Sequence, residues 1–216
     1  MTLTDASGSR TENITRAEAS ERSDLISTTS YEVVLDLTST GPTFATTTTA
    51  LFACTSIGAH TWIDLIAPTV ESVTLNGTEL SVTEVVHGSR ILLSNLQEMN
   101  TVVVTAQGKY MNTGEGLHRF IDPVDDETYL YTQFESADAR RMYACFEQPD
   151  LKATFTLTAT APGHWKVISN SPMAQVTEHD NNTKTWEFEP TPIISTYITA
   201  LVAGPYFEVR DEYSGP

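Results

Sequence analysis

Short segments of alternating apolar and polar residues recur through this sequence and point to an all-β fold. Tyr31 to Leu37 alternates in this way, as a half-buried strand does. Val73 to Leu75 leads into Asn76-Gly77, a dipeptide that strongly indicates a β-hairpin. Such segments follow one another roughly every 8 to 12 residues, without a long amphipathic helix between them. The pattern predicts one large, mostly antiparallel β-sandwich, for which 216 residues with 40% hydrophobic content suffice.

The two ends of the chain depart from this pattern. Residues 1–12 are small and polar, which predicts a disordered tail. Thr15 to Glu18 matches a capping box, so a short polar helix is expected within residues 13–28. The β domain is then assigned to residues 29–210, and the polar residues 211–216 are interpreted as the start of a linker.

Two further strands are expected near the carboxyl end of the β domain. Tyr197 to Val202 is almost continuously apolar, which favours a strand buried on both faces. Gly204-Pro205 predicts a turn, and Tyr206 to Val209 is expected to form the last strand.

Charge and cysteine content exclude several classes of protein. The chain has 28 acidic and 12 basic residues, a formal net charge of −16 that disfavours nucleic acid and anionic membrane surfaces as partners. No apolar run approaches the roughly 20 residues that span a bilayer, and the amino terminus lacks an apolar signal core. The two cysteines, Cys54 and Cys145, have no CxxC neighbour, so neither a disulfide framework nor a structural zinc site is expected. These features predict a cytoplasmic protein without membrane contact.

The stretch from Tyr129 to Phe155 is the densest in aromatic, acidic and arginine residues. Its first residues alternate as a strand, which puts Gln133 on one side and Phe134 on the other. After Ser136 the alternation stops, and a helical turn capped by Asp138 is expected. Arg140 and Arg141 are expected to satisfy loop carbonyls or a neighbouring acid such as Glu147.

Five ordered motifs in the chain resemble a known family. They are NTGEGLHRF (112–120), TQFE (132–135), DARR (138–141), CFEQPDLKATF (145–155) and ISTYITALVAGPY (194–206). Together they are similar to the amino-terminal domain of the aminopeptidase N family, the gluzincin zinc metallopeptidases, and most to its bacterial members. The resemblance implies a large, saddle-like, mostly antiparallel β domain.

The resemblance also implies that the catalytic metal lies elsewhere. In the family, the zinc ligands and the Gly-Ala-Met-Glu-Asn substrate motif belong to a thermolysin-like domain that follows this one. None of the five histidines here is part of an HExxH sequence, and the chain contains no recognisable zinc-binding motif. The full-length protein is therefore expected to be a zinc aminopeptidase whose zinc is bound by a catalytic domain beyond this segment. The segment alone is expected to be inactive, and residues 211–216 would begin the linker to that domain.

The expected contribution of this segment is substrate recognition. By resemblance, Glu135 would bind the ammonium group at the amino terminus of a peptide, and Gln133 would line the pocket for the first side chain. A fixed carboxylate would compensate a cation that is costly to desolvate. The residues alone also allow a structural interpretation, in which Glu135 pairs with Arg140 or Arg141 and Gln133 makes hydrogen bonds at the sheet edge.

The sequence also allows other functions and residue roles. A non-catalytic β-sandwich module for binding or scaffolding is the alternative function, and a carbohydrate-binding sandwich would require exposed tryptophans. His118 is interpreted as a hydrogen-bonding residue and Cys145 as a packed small hydrophobe. An apolar patch is expected on the face that covers the catalytic domain of the same polypeptide.

Overall fold

The structure is a computed structural model that describes residues 13–215. The tail predicted for residues 1–12 lies outside the described residues. Helix α1 (Arg16–Leu25) is followed by fifteen strands within the described residues, and the mostly antiparallel β architecture is confirmed. The strands are β1 (Ile26–Asp36), β2 (Thr43–Cys54), β3 (Thr61–Asp64), β4 (Thr69–Leu75), β5 (Thr78–Leu80), β6 (Val86–His87), β7 (Arg90–Leu93), β8 (Met99–Lys109), β9 (Gly116–Ile121), β10 (Thr128–Gln133), β11 (Thr154–Pro162), β12 (Lys166–Ser169), β13 (Met173–Glu178), β14 (Thr183–Phe188) and β15 (Leu201–Gly204).

The strands form three sheets. The large sheet has eight strands in the order β13-β14-β11-β1-β2-β8-β4-β5, the small sheet has the order β12-β15-β10-β9, and a third sheet has the order β3-β7-β6. Strand neighbours within these sheets pair antiparallel, except that β1 and β11 run parallel. A one-turn helix, α2 (Val82–Val85), and 3-10 turns at Ala139–Arg141 and Thr196–Ile198 complete the elements.

Local turn and cap signals are confirmed. Asn76 and Gly77 have φ values of 52° and 80°, which the tight connection between β4 and β5 requires. At α1, the Thr15 hydroxyl accepts from the Glu18 backbone N–H, and the Glu18 carboxylate accepts from the Thr15 N–H. Each signal involves residues at most three apart, so neighbouring side chains suffice to specify the backbone.

The core lies on one face of the large sheet. Tyr31, Val33 and Leu35 of β1 point into it and are at most 3% exposed. The segment Met142–Gln148 is buried along its whole length and covers this face. Phe146 of this segment packs edge-on against Phe52 of β2, with ring centroids 5.0 Å apart. The segment therefore packs on the middle strands of the large sheet, β1 and β2.

A buried ionic cluster joins α1 to the rest of the core. Arg22 binds the Asp64 carboxylate at 2.8 Å and the Gln148 side-chain oxygen at 3.0 Å. A second pair joins Arg90 and Glu18 at 2.6 Å, and both guanidinium groups lie within 4.7 Å of the Trp62 ring centroid.

Both strands expected after Pro192 are corrected by the structure. Thr196–Ile198 forms a 3-10 turn, and β15 begins only at Leu201. The Thr196 hydroxyl donates to Glu147, and the Ser195 hydroxyl donates to the Pro149 carbonyl, so side-chain bonds support a turn where the apolar run suggested a strand. The residues expected to form a strand at 206–209 have no regular structure, and Phe207 is 91% exposed.

Within residues 13–215, the helices are all too short and too polar for a membrane span.

Candidate functional site

The two residues predicted to bind substrate lie at the end of β10. Gln133 is the last residue of this strand, and Glu135 is in the turn that follows. Between them, Phe134 is 1% exposed and packs against Tyr143 with ring centroids 6.3 Å apart. Because the strand alternates to its end, burial of Phe134 leaves Gln133 and Glu135 exposed.

The carboxylate of Glu135 is not part of an ion pair with any residue from 13 to 215. Within residues 13–215, it has neither a hydrogen-bond nor a salt-bridge partner, although the Glu135 N–H donates to the Gln133 side-chain oxygen at 3.5 Å. Arg140 instead donates to the Ala137 carbonyl, and Arg141 pairs with Asp138. The ion pair of the structural interpretation is therefore absent from the described part of the chain.

The hairpin of β9 and β10 presents the strand that leads to Gln133. Gly116 is opposite Gln133, so β9 places no side chain beside it. His118 is opposite Tyr131 and stacks on its ring at 4.7 Å. The Nδ1 atom of His118 accepts a hydrogen bond from the Gly114 N–H at 3.0 Å, which agrees with the predicted structural role of this histidine.

The small sheet has one buried and one exposed face. A row of four side chains crosses the exposed face, from Ile168 on β12 through Val202 and Tyr131 to His118 on β9. Ile168 is 60% exposed and Tyr131 is 39% exposed. By strand alternation Gln133 belongs to the same face as Tyr131. The predicted substrate residues therefore lie at the margin of an exposed apolar surface.

A helical turn follows Glu135 as predicted, but Asp138 does not cap it. Asp138 precedes the 3-10 turn, but its side chain makes no bond to the turn backbone. Its carboxylate instead accepts a hydrogen bond from Arg141 Nε at 2.7 Å. The prediction of a cap was wrong because the neighbouring guanidinium provides a charge-assisted hydrogen bond.

Comparison with known proteins identifies the family. The model of the Peptidase M1 N-terminal domain matches residues 27–198 of the chain. The chain belongs to this family. It is 54% identical to an aminopeptidase N of Streptomyces lividans over 204 residues, which cover 93% of the chain and 23% of that protein.

Further relatives of this M1 N-terminal domain are also aminopeptidases. An aminopeptidase N of Acetobacter pasteurianus is 39% identical over 54% of the chain and 34% of its own length. Aminopeptidase M1-B of Oryza sativa subsp. japonica is 31% identical over 71% of the chain and 20% of its own length. The chain thus spans about a fifth to a third of these curated relatives.

Behind the candidate site, the M1 N-terminal domain holds a buried carboxylate, Glu147. One of its oxygens accepts from the Thr196 hydroxyl at 2.5 Å, and the other accepts from the Arg140 N–H at 2.8 Å. Burial raises the pKa of the Glu147 carboxyl above its usual range, although these hydrogen bonds oppose the shift. The Arg140 side chain binds a loop carbonyl, that of Ala137, as one of the two expected kinds of partner, and the contact with Glu147 is made by its backbone N–H.

The residues of the M1 N-terminal domain do not fit a zinc site. Zinc dependence is general in the M1 aminopeptidases. Between residues 13 and 215, however, histidine, cysteine and acidic side chains never converge in a group of three that could ligate a metal. No chemical step of this segment is therefore assigned to a metal.

The tryptophans do not form the exposed platform that a carbohydrate-binding sandwich requires. Trp165 is 8% and Trp186 6% exposed, and Trp62 lies beneath the guanidinium groups of Arg22 and Arg90.

Cys54 and Cys145 are both buried and free, and burial raises the pKa of the Cys145 thiol well above its usual range. Cys145 is therefore a packing residue with little thiolate character.

Sequence reasoning missed the buried ionic cluster of Glu18, Arg22, Asp64 and Arg90. The partners of each pair are 42 and 72 positions apart, and all four residues lie outside the five family motifs. The one available signal is Gln148 of the motif CFEQPDLKATF, which with Glu147 forms a polar pair directly after the aromatic and small residues 143–146. This signal indicates a buried polar partner but does not identify it.

Proposed function

We propose that this chain is the substrate-recognition domain of a zinc-dependent aminopeptidase that releases amino-terminal residues from peptides. In this proposal, Glu135 binds the α-ammonium group of the peptide, and Gln133 lines the pocket for the first side chain. A catalytic domain of the same polypeptide binds the zinc and supplies the hydrolytic residues. The free cysteines support a cytoplasmic location.

The Glu135 carboxylate, which is unpaired among the described residues, is the observation that carries the proposal. A peptide ammonium loses part of its hydration when it is bound, and an opposite charge within hydrogen-bond distance compensates that loss. Glu135 is exposed and lacks an ion-pair partner within residues 13–215, so it need not break an internal contact to bind a cation. Its attachment to the buried Phe134 limits the movement of its backbone.

The exposed face of the small sheet is an argument for a neighbouring catalytic domain that covers it. Phe120, Tyr131 and Ile168 on this face are between 39% and 60% exposed. The curated relatives are about three to five times longer than the matched part, which leaves room for such a domain in the full-length protein. Burial of this face by that domain would place Gln133 and Glu135 at the interface between the two domains.

The first experiment replaces Glu135 by Gln in the full-length protein and measures hydrolysis of aminoacyl 4-nitroanilides. Loss of a charge-assisted hydrogen bond of about 2 kcal/mol predicts a fall in kcat/KM of roughly thirtyfold. Glu79→Gln is the matched control, because Glu79 is exposed on β5 at the far edge of the large sheet. An unchanged kcat/KM in Glu135→Gln would remove Glu135 from the substrate site.

The second experiment assays the isolated chain with added zinc. The expected result is no turnover, because the described residues bring no metal ligands together. Turnover that a chelator abolishes would contradict the proposal that the catalytic zinc belongs to another domain. An inactive full-length protein with normal folding would instead favour the non-catalytic binding module.

A further inference from the structure

Arg141 connects the two loops on either side of the candidate substrate residues. Its Nε atom donates to the Asp138 carboxylate at 2.7 Å, and its Nη2 atom lies 3.8 Å from the Glu115 carboxylate. Asp138 belongs to the turn that carries Glu135, and Glu115 belongs to the loop that precedes β9. The guanidinium side chain is about one fifth exposed, which strengthens its ion pairs relative to fully exposed ones.

The first residue of β9 is fitted closely against the Arg141 side chain. Gly116 has a φ of 66°, and a Cβ atom at this position would lie 3.0 Å from Arg141 Cβ. Gly116 is also the residue opposite Gln133 across the sheet. Thr113 donates to the Glu115 carboxylate at 3.2 Å, so the acid that faces Arg141 is itself held within the loop. Arg141 therefore packs against the backbone that borders Gln133.

Backbone hydrogen bonds hold the two ends of the turn that carries Glu135. The Asp138 N–H donates to the Phe134 carbonyl at 3.0 Å, and the Ile66 N–H donates to the Arg140 carbonyl at 2.7 Å. These bonds hold the ends of the turn, but they do not join it to the loop at Glu115. Arg141 provides a charged connection between the turn and that loop.

We propose that Arg141 is a positioning residue for peptide binding, acting through Glu135. By holding the Asp138 turn to the Glu115 loop, which borders Gln133, it fixes the position of the turn relative to the sheet edge and keeps the Glu135 carboxylate directed at the substrate ammonium. This inference rests on the proposed function of Glu135. Arg141 itself does not touch the substrate.

The test compares Arg141→Gln, Arg141→Lys and Glu135→Gln in the full-length protein, with steady-state kinetics on aminoacyl 4-nitroanilides. Arg141→Gln is expected to raise KM about tenfold with kcat within twofold, because ground-state and transition-state binding of the ammonium weaken together. Arg141→Lys is expected to fall between the wild type and Arg141→Gln, since an ammonium can pair with one acid but lacks the fork of a guanidinium. Arg119→Gln on β9 is the matched control. Arg119 binds the Gly41 carbonyl and contacts neither of the two loops through its side chain.

A double variant separates positioning from a general structural effect. If Arg141 acts through Glu135, Glu135→Gln combined with Arg141→Gln raises KM no more than Glu135→Gln alone. A KM increase equal to the product of the two single increases would overturn the inference, as would a wild-type KM in Arg141→Gln. In either case a lowered kcat/KM in Glu135→Gln would leave the proposed function intact. A wild-type kcat/KM in Glu135→Gln would overturn both.

Discussion

Two carboxylates of the same chain segment, Glu135 and Glu147, are in opposite environments. Glu135 is exposed at the end of a strand and lacks a side-chain partner in the described part of the chain. Glu147 is 5% exposed and is bound by a hydroxyl and a backbone N–H. Twelve positions apart, one acid is available to a ligand and the other is part of the scaffold.

The two environments show how each carboxylate is stabilised. The turn with Glu135 is followed directly by the 3-10 turn Ala139–Arg141, whose Arg140 N–H is bound by Glu147. The buried acid therefore holds the backbone that leads away from the exposed one. The exposed Glu135 carboxylate needs no protein partner because water solvates it, whereas the buried Glu147 carboxylate is bound by protein donors.

Removal of the buried acid is expected to have the largest effect on stability. Glu147→Ala leaves the Arg140 N–H and the Thr196 hydroxyl without their acceptor in the core, at a cost of about 3 kcal/mol in the free energy of unfolding. Urea unfolding of the chain measures this cost. Glu135→Ala is the matched comparison and is expected to change the free energy by less than about 0.5 kcal/mol. Equal losses in the two variants would contradict the contrast between scaffold and site.

A third acid, Glu18, extends the comparison because its contribution to folding stability depends on pH. Its hydrogen bonds and ion pair with Arg90 lower the pKa of the Glu18 carboxyl from 4.5 to about 2. Because the folded pKa is depressed, the stabilisation is complete above pH 4.5 and is lost as the pH falls toward 2. It amounts to at most about 3 kcal/mol.

The measurement for Glu18 is the difference in unfolding free energy between the wild type and Glu18→Gln, from pH 6 down to pH 2. That difference should shrink as the pH falls through this window, since both proteins then carry a neutral side chain at position 18. A constant difference would show that the Glu18 charge does not contribute to folding stability.

A smaller effect than that of Glu147→Ala is expected for Glu147→Gln, which keeps an acceptor for the Arg140 N–H and a polar group for Thr196. Burial raises the pKa of the Glu147 carboxyl, so the protonated wild type is fully stabilised below pH 4.5 and loses stability as the pH rises through the folded pKa. At pH 7 the variant is expected to lie within about 1 kcal/mol of the wild type.

The same variant therefore tests the sign of the Glu147 shift. From pH 4 to pH 7, the unfolding free energy of Glu147→Gln should rise relative to that of the wild type. A relative fall over this range would mean that ionised Glu147 stabilises the fold, as Glu18 does.

Features determined by neighbouring residues could be predicted from the sequence. The capping box at Thr15 and the hairpin at Asn76-Gly77 are confirmed because each depends on bonds or dihedral angles within a few residues. The strand that ends at Gln133 was found by its alternation. The motif TQFE therefore defined the location of the candidate site, and the family resemblance assigned its chemistry.

Features that depend on distant partners could not be predicted in this way. Thr196 adopts a turn because its hydroxyl reaches Glu147, which is 49 positions away. Arg22 binds Asp64 and Gln148, which are 42 and 126 positions away. Similarly, the contact of Arg141 with Glu115 requires two loops to be adjacent, and the spacing of the residues does not show that adjacency.

The parallel pairing of β1 with β11 determines when the large sheet can be completed during synthesis. β1 begins at Ile26, and its partner on that side is complete only at Pro162. β2, β4, β5 and β8 can assemble on the other edge of β1 much earlier. Until β11 leaves the ribosome, the long edge of β1 has unpaired backbone donors and acceptors. During this interval, pairing with a strand of another chain competes with the native pairing of β1 and β11.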